Sequence, residues 1–227
     1  LKLCAKLFTD IYNQNKKFTT KNKNLKNTCK IKKTAKKFNY KDKKNKIVLN
    51  SKYIHSKGLL ENLCLAIKIA LDLKINKKII LKTIPKIRYQ GRIEFLDKGN
   101  LRKRIMKNEK LLIDGCHSQT SAKNLYDYLK TLNLPVYGIW GMTKNKNPEL
   151  FIKQFKGIFK KIITLDIEDK SATVSKNLLS SIALKNGYNV ETTSNFLEAL
   201  RKISSKERKI ICVFGSLYLC GTVLNKN

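Results

Sequence analysis

Beyond Pro85, apolar runs of strand length alternate with stretches of helical periodicity, and this alternation constrains the fold more than any other feature of the chain. The strand-like runs are residues 93–96, 111–113, 136–140, 162–165, 189–192 and 210–214, and helical patterns lie between them near 121–132, 148–159, 175–186 and 194–203. Strands that alternate with helices form a mostly parallel sheet covered on both faces, so the expected class is α/β with a Rossmann-like sheet. The run Ile210-Ile211-Cys212-Val213-Phe214 is apolar at every position, which suits a strand buried on both sides. In such sheets ligands meet the loops beyond the carboxyl ends of the strands. That rule points to residues 114–121, 141–148, 166–171 and 215–218.

The part before Pro85 reads differently. Leu3, Leu7 and Ile11 recur at four-residue steps, the pattern of a helix over 1–14. Residues 15–46 are rich in Lys and Asn, with scattered apolar positions that suggest short strands and loops. Leu59, Leu63, Ile67, Ala70 and Leu71 share one helical face, and Asn76 is placed to cap a second helix over 77–84 that Pro85 ends. The boundary between the two regions is expected within 85–91.

Charge is the strongest compositional signal. Of 227 residues, 49 are Lys or Arg and 16 are Asp or Glu, a formal charge of +33. Such a balance invites a nucleic-acid partner. Against a specific one, 43 of the basic residues are Lys and only 6 are Arg, the residue whose planar fork reads bases and grips phosphates. Asn (22) and Ile (24) are enriched beside Lys, as an AT-rich coding sequence would produce. The charge is also spread: net +14 over residues 1–50, +11 over 51–110 and +8 over 111–227. Solvated lysine faces with weak, salt-sensitive adhesion to polyanions are therefore expected. An apolar and aromatic content of 42% argues against wholesale disorder. The longest uncharged stretch, 210–225, is too short and too polar to span a bilayer, and Lys2 and Lys6 interrupt any signal-peptide core. No C-x-x-C pair occurs among the six cysteines, and only His55 and His117 could join them. Reduced thiols in a cytoplasmic monomer are expected, rather than a zinc site.

Several strand-end loops carry residues with chemistry. In Asp114-Gly115-Cys116-His117, Asp114 can accept from a hydroxyl or orient a partner, Gly115 permits close backbone approach, and His117 stands near a helix start where anions bind. A simple turn in which Asp114 caps the helix accounts for the same residues. Gly141-Met142-Thr143-Lys144 and Gly215-Ser216-Leu217-Tyr218 offer backbone N–H groups, a lysine and a hydroxyl to an anion, or a turn and a helix cap. Gly91-Arg92 opens the second region, with Arg92 as a phosphate fork or a surface charge. Neither G-x-x-x-x-G-K-[ST] nor G-x-G-x-x-G occurs.

Taken in order, Gly91-Arg92-Ile93-Glu94, Asp114-Gly115-Cys116-His117, Gly141-Met142-Thr143-Lys144 and Gly215-Ser216-Leu217-Tyr218 resemble the C-terminal half of folylpolyglutamate synthase and dihydrofolate synthase, members of the Mur ligase superfamily. The stretch from His55 to Leu73 is similar to the end of that family's central domain. The pattern departs from the family at Gln90, where Pro is usual, at Ser118, and at Asn145 and Asn147, where the family carries Asp. It departs again in the basic insert 98–110. The resemblance implies a remnant of the central domain over 1–88 and a glutamate-ligase domain over 89–227. It implies ATP-dependent amide ligation through an acyl phosphate, with ATP, Mg2+, L-glutamate and folate or dihydropteroate as small-molecule partners.

By the same resemblance Arg92 and Asp114 would contact ATP, His117 would be catalytic, and His117 and Ser216 would hold glutamate. Lys144 and Tyr218 are weaker candidates. The family's phosphate loop and magnesium ligands belong to an N-terminal half whose pattern these 227 residues do not contain, so this part by itself is expected to be inactive. The competing expectation is a non-enzymatic, basic Rossmann-like module that binds nucleic acid or an acidic partner.

Overall fold

The computed structural model describes residues 29–34, 37–50, 54–168 and 172–227; the helix expected over 1–14 lies outside them. The chain divides into two compact units. One holds the described residues up to Ile54 together with Leu59–Ile87, and the other holds His55–Gly58 with Arg88–Asn227. No helix among the described residues is long and apolar enough to cross a membrane.

In the first unit, β1 (Cys29–Thr34), β2 (Lys37–Asp42) and β3 (Lys46–Leu49) form an antiparallel sheet in sequence order. Alternation sets its buried face: Phe38 lies opposite Leu49 and Tyr40 opposite Ile47, and all four are buried. Asp42 builds the β2–β3 turn by accepting from the Lys44 and Asn45 amides, while the Tyr40 hydroxyl donates to it at 2.8 Å. Helix α1 (Lys57–Asp72) buries Leu63, Cys64 and Ile67, and α2 (Lys77–Thr83) is capped by Asn76, whose side chain accepts from Lys78 N–H.

The second unit contains β4 (Glu94–Phe95), β5 (Lys110–Asp114), α3 (Gln119–Lys130), β6 (Val136–Trp140), α4 (Pro148–Ile152), β7 (Phe159–Thr164), α5 (Lys176–Lys185), β8 (Val190–Thr192), α6 (Phe196–Ile203), β9 (Ile210–Phe214) and α7 (Leu217–Asn225). Its six strands are ordered β4-β5-β9-β6-β7-β8; β4 is antiparallel to β5 and the other pairs are parallel. The expected class, a mostly parallel α/β sheet, is the observed one. Three expectations need correction. The run 93–96 yields only a two-residue antiparallel edge strand. The helix expected over 148–159 ends at Ile152, tightens into a 3-10 turn over Lys153–Phe155, and gives Phe159 to β7. Residues 217–218 are not loop but the first turn of α7.

Each central strand feeds both faces. On one face Leu112, Val136, Trp140, Ile210, Cys212 and Phe214 pack against α3, α4 and α5; on the other Leu111, Ile113, Ile139, Ile211 and Val213 pack against α6 and α7. The Phe214 ring joins Trp140, Phe151, Phe155 and Phe159, with centroids 4.7–6.1 Å away. Full burial of a large apolar side chain contributes about 1.5–3 kcal/mol, so the five-residue apolar run of β9 anchors the unit.

Candidate functional site

The sheet order creates a crevice. The loop after β5 leads to α3 on one face, whereas the loop after its neighbour β9 leads to α7 on the other. Loops that part in this way open the site where ligands bind in α/β sheets. Asp114, Phe214 and Trp140 end their strands in register, so the loops after β5, β9 and β6 leave from one level.

Four glycine-bearing segments are knit together at this edge. Gly115 N–H donates to Gly91 O at 2.7 Å, and Gly141 N–H to Phe214 O at 3.4 Å. A Cβ on Gly115 would lie 2.3 Å from the Leu217 side chain. One on Gly215, at φ +107°, would lie 2.5 Å from Gly141 O and 2.6 Å from Trp140. The lack of a side chain at Gly115 lets the first turn of α7 pack closely against it. Beneath Gly215, the buried Trp140 Nε1 finds no acceptor among the described residues.

Asp114 locks the entrance turn to the end of β5. Only 5% exposed, it accepts from Ile93 N–H through Oδ2 and from Cys116 N–H through Oδ1, each at 2.8 Å. Burial pushes its carboxyl above the ordinary range, against the opposing pull of those two amides and of the Arg92 charge. Asp114 does not cap α3; Ser118 does, in a reciprocal pair with Ser121. The turn that Asp114 holds is strained: Ile93, β-branched and buried, sits at φ +47°, a conformation costing about 1–3 kcal/mol. Glu94 closes the same turn by accepting from Gly91 N–H at 2.8 Å. Nothing in the sequence signals the strain at Ile93. Arg92, at the apex, is half-buried, and its guanidinium makes no hydrogen bond or ion pair with the described residues.

His117 is half-buried, with Nδ1 2.8 Å from Gly115 O. A carbonyl only accepts, so Nδ1 carries the proton and Nε2 keeps its lone pair when the ring is neutral. Ser216, 3% exposed, caps α7 by accepting from Tyr218 N–H at 3.1 Å, while Tyr218 itself is 56% exposed. Cys116 lies between these groups, but burial holds its thiol well above the ordinary range, which removes it as a nucleophile.

Arg92, Asp114, His117 and Ser216 therefore meet around the ends of β5 and β9. Lys144 shares the edge but is drawn aside: its amide donates to Ala172 O at 2.9 Å, on the far side of β6. Among the described residues no group of three or more His, Cys, Asp and Glu side chains could hold a metal ion. With both Asp114 oxygens engaged as well, these residues do not fit a magnesium site of their own.

Residues 97–226 match the family described as dihydrofolate synthetase, C-terminal domain. Folylpolyglutamate synthase from Thermotoga maritima is similar over 87% of this chain and 45% of its own, at 26% identity and a TM-score of 0.68. The bifunctional folylpolyglutamate synthase/dihydrofolate synthase from Yersinia pestis, solved with AMPPNP and a Mn ion, shares the fold at 13% identity and a TM-score of 0.69, over 87% of this chain and 45% of its own. UDP-N-acetylmuramate-alanine ligase MurC from Thermotoga maritima shares it at 13% identity and a TM-score of 0.62, over 88% and 45%. The chain thus spans less than half the length of these solved relatives. No curated protein sequence matches it.

Proposed function

This chain belongs to the dihydrofolate synthetase C-terminal domain family, and from that premise we propose that it supplies the glutamate-accepting part of an ATP-dependent amide ligase. The substrates are ATP, L-glutamate and the carboxylate of a folate or dihydropteroate. The γ-phosphoryl group passes to that carboxylate, giving an acyl phosphate and ADP. The glutamate amine then attacks the acyl carbon, the C–O bond to phosphate breaks, and the nitrogen gives up a proton.

The observation that carries this reading is the half-buried Arg92 guanidinium, whose charge acts on Asp114 and Cys220 while it donates no hydrogen bond to the described residues. A half-buried guanidinium with no donor spent on the described residues suits a phosphate oxygen, which it grips with two parallel bonds. Asp114 faces inward, so it serves as a positioning residue: its bonds to Ile93 and Cys116 fix the turn that aims Arg92. His117 Nε2 takes the proton that the glutamate nitrogen gives up as its C–N bond forms, with Gly115 O holding the required tautomer. Ser216 shapes the first turn of α7, whose N–H groups suit a glutamate carboxylate. Orientation of two substrates is the main catalytic contribution of this part.

Two measurements test the reading. In amide-resolved NMR of the 227-residue chain, ADP should shift Arg92, Gly115–His117 and Gly215–Tyr218, and Arg92→Ala should abolish those shifts. Perturbations confined to other surfaces would remove the site assignment. Separately, the purified chain should release no ADP in a folate- and glutamate-dependent manner, because no phosphate loop is encoded in it. Such turnover would overturn the division of labour proposed here.

A further inference from the structure

The opposite, amino edge of the second unit carries a feature that ligation does not use. Lysines are spread through every segment, but four of the six arginines (Arg102, Arg104, Arg201 and Arg208) fall within residues 98–110 and 201–209. Together these two segments hold eleven Lys or Arg and two Glu. A compositional excess of lysine does not explain where the arginines stand.

The fold brings the segments together, because one leads into β5 and the other into its neighbour β9. Lys110 N–H donates to Lys209 O at 3.1 Å, and Asn108 bonds the Lys206 carbonyl. Glu109, buried, accepts from Met106 N–H, Ser204 Oγ and Ser205 N–H at 2.8, 2.6 and 2.8 Å, with Lys209 Nζ 3.5 Å away. The Arg102 guanidinium closes the 102–107 turn on the Met106 and Lys107 carbonyls at 3.1 and 3.0 Å. Both carboxylates are thereby spent: Glu109 inside, and Glu207 on the Tyr137 hydroxyl at 2.8 Å. Lys103, Arg104, Lys107, Lys110, Lys206 and Arg208 stay exposed and form no ion pair with the described residues, whereas Lys123, Lys153, Lys161 and Lys226 elsewhere are paired.

We propose that this rigid basic platform binds the phosphate backbone of double-helical nucleic acid without reading its sequence. Arginine forks and lysine points at fixed separations suit successive phosphates. A protein partner would need an apolar centre, and the exposed large apolar side chain between these cations is Met106 alone. Unstacked bases would need exposed rings, but Phe95 and Tyr137 are partly buried and lie under Lys110 and Lys209.

The test compares two fourfold variants of the full chain that lose equal charge. One carries Arg104→Gln, Lys107→Gln, Lys206→Gln and Arg208→Gln. The other carries Lys43→Gln, Lys44→Gln, Lys77→Gln and Lys78→Gln, which are equally exposed in the first unit. With a short fluorescein-labelled DNA duplex at about 0.1 M salt, the platform variant should bind about tenfold more weakly or worse, and its salt slope should fall by roughly three to four. The control should stay within about twofold of the unaltered chain. Neither variant should melt below the unaltered chain, so that loss of binding is not loss of fold. Equal losses in both variants would reduce the effect to net charge and overturn the proposal. Displacement of the duplex by poly-L-glutamate as readily as by unlabelled duplex would overturn it in favour of an acidic protein partner.

Discussion

Asp114 and Gly215 show how single residues set the geometry of the candidate site. Asp114 is a buried carboxylate whose ordinary acidity is opposed by burial, so its folded-state pKa lies above the unfolded value. The sign follows: between those two values the folded chain holds a proton that the unfolded chain has released, and stability rises as pH falls through that window. Above the window the cost of the buried charge is constant. Asp114→Asn removes this dependence and turns an amide donor toward either Ile93 N–H or Cys116 N–H, at a cost of about 1–3 kcal/mol. Melting of both forms from neutral pH downward should therefore show the unaltered chain gaining on the variant; a gap that narrows on acidification would exclude this account. Gly215→Ala meets Gly141 O and Trp140 at positive φ and should cost about 2–4 kcal/mol, whereas Gly157→Ala, at φ +77° with nothing within 4 Å, should cost only about 1 kcal/mol of backbone strain. Equal costs in urea unfolding would show that close packing at the sheet edge is not what demands glycine.

Among elements, the segments that enter β5 and β9 depend on one buried pair. Lys209 Nζ donates to Ile203 O and Ser205 Oγ at 2.6 and 2.5 Å and lies 4.5 Å from the Tyr137 ring centroid, while Glu109 satisfies three further donors. Removing one partner strands the other in a dry setting, so Glu109→Ala should destabilise the second unit by about 3–5 kcal/mol. The cost of Glu109→Ala together with Lys209→Met should be well below the sum of the two single changes. Additive costs in a double-mutant cycle would show that the two side chains act separately. The end of β9 is simpler: Ser216→Ala removes the cap of α7 and should cost about 1 kcal/mol, read as a shift of the urea midpoint at unchanged slope.

For the whole molecule, net charge opposes compactness. With +33 charges and nine ion pairs among the described residues, like-charge repulsion outweighs local pairing. Raising ionic strength from about 0.01 M to 0.15 M shortens the screening length from about 30 Å to 8 Å, so the melting temperature should rise over that range. A fall would mean that specific attractive pairs dominate instead.

Period and capping chemistry alone determined much of this fold. The five apolar residues of β9, the alternating patterns around β5, β6 and β7, and the Asn76 and Ser216 caps are local signals, readable because burial and capping act within a few residues. The strand-end rule drew attention to Asp114, His117 and Ser216, while the family resemblance added Arg92 and implied the roles of all four. What the sequence could not fix was which strands are neighbours. Placing β9 between β5 and β6 joins residues a hundred positions apart, and no local pattern encodes that pairing. Only the tertiary structure turned Asp114 inward onto the Ile93 amide, packed the glycines against one another and against α7, and left the Arg92 donors unspent beside Asp114. Each of these is an outcome of long-range packing, in which burial and hydrogen-bond satisfaction override what a residue's type suggests on its own.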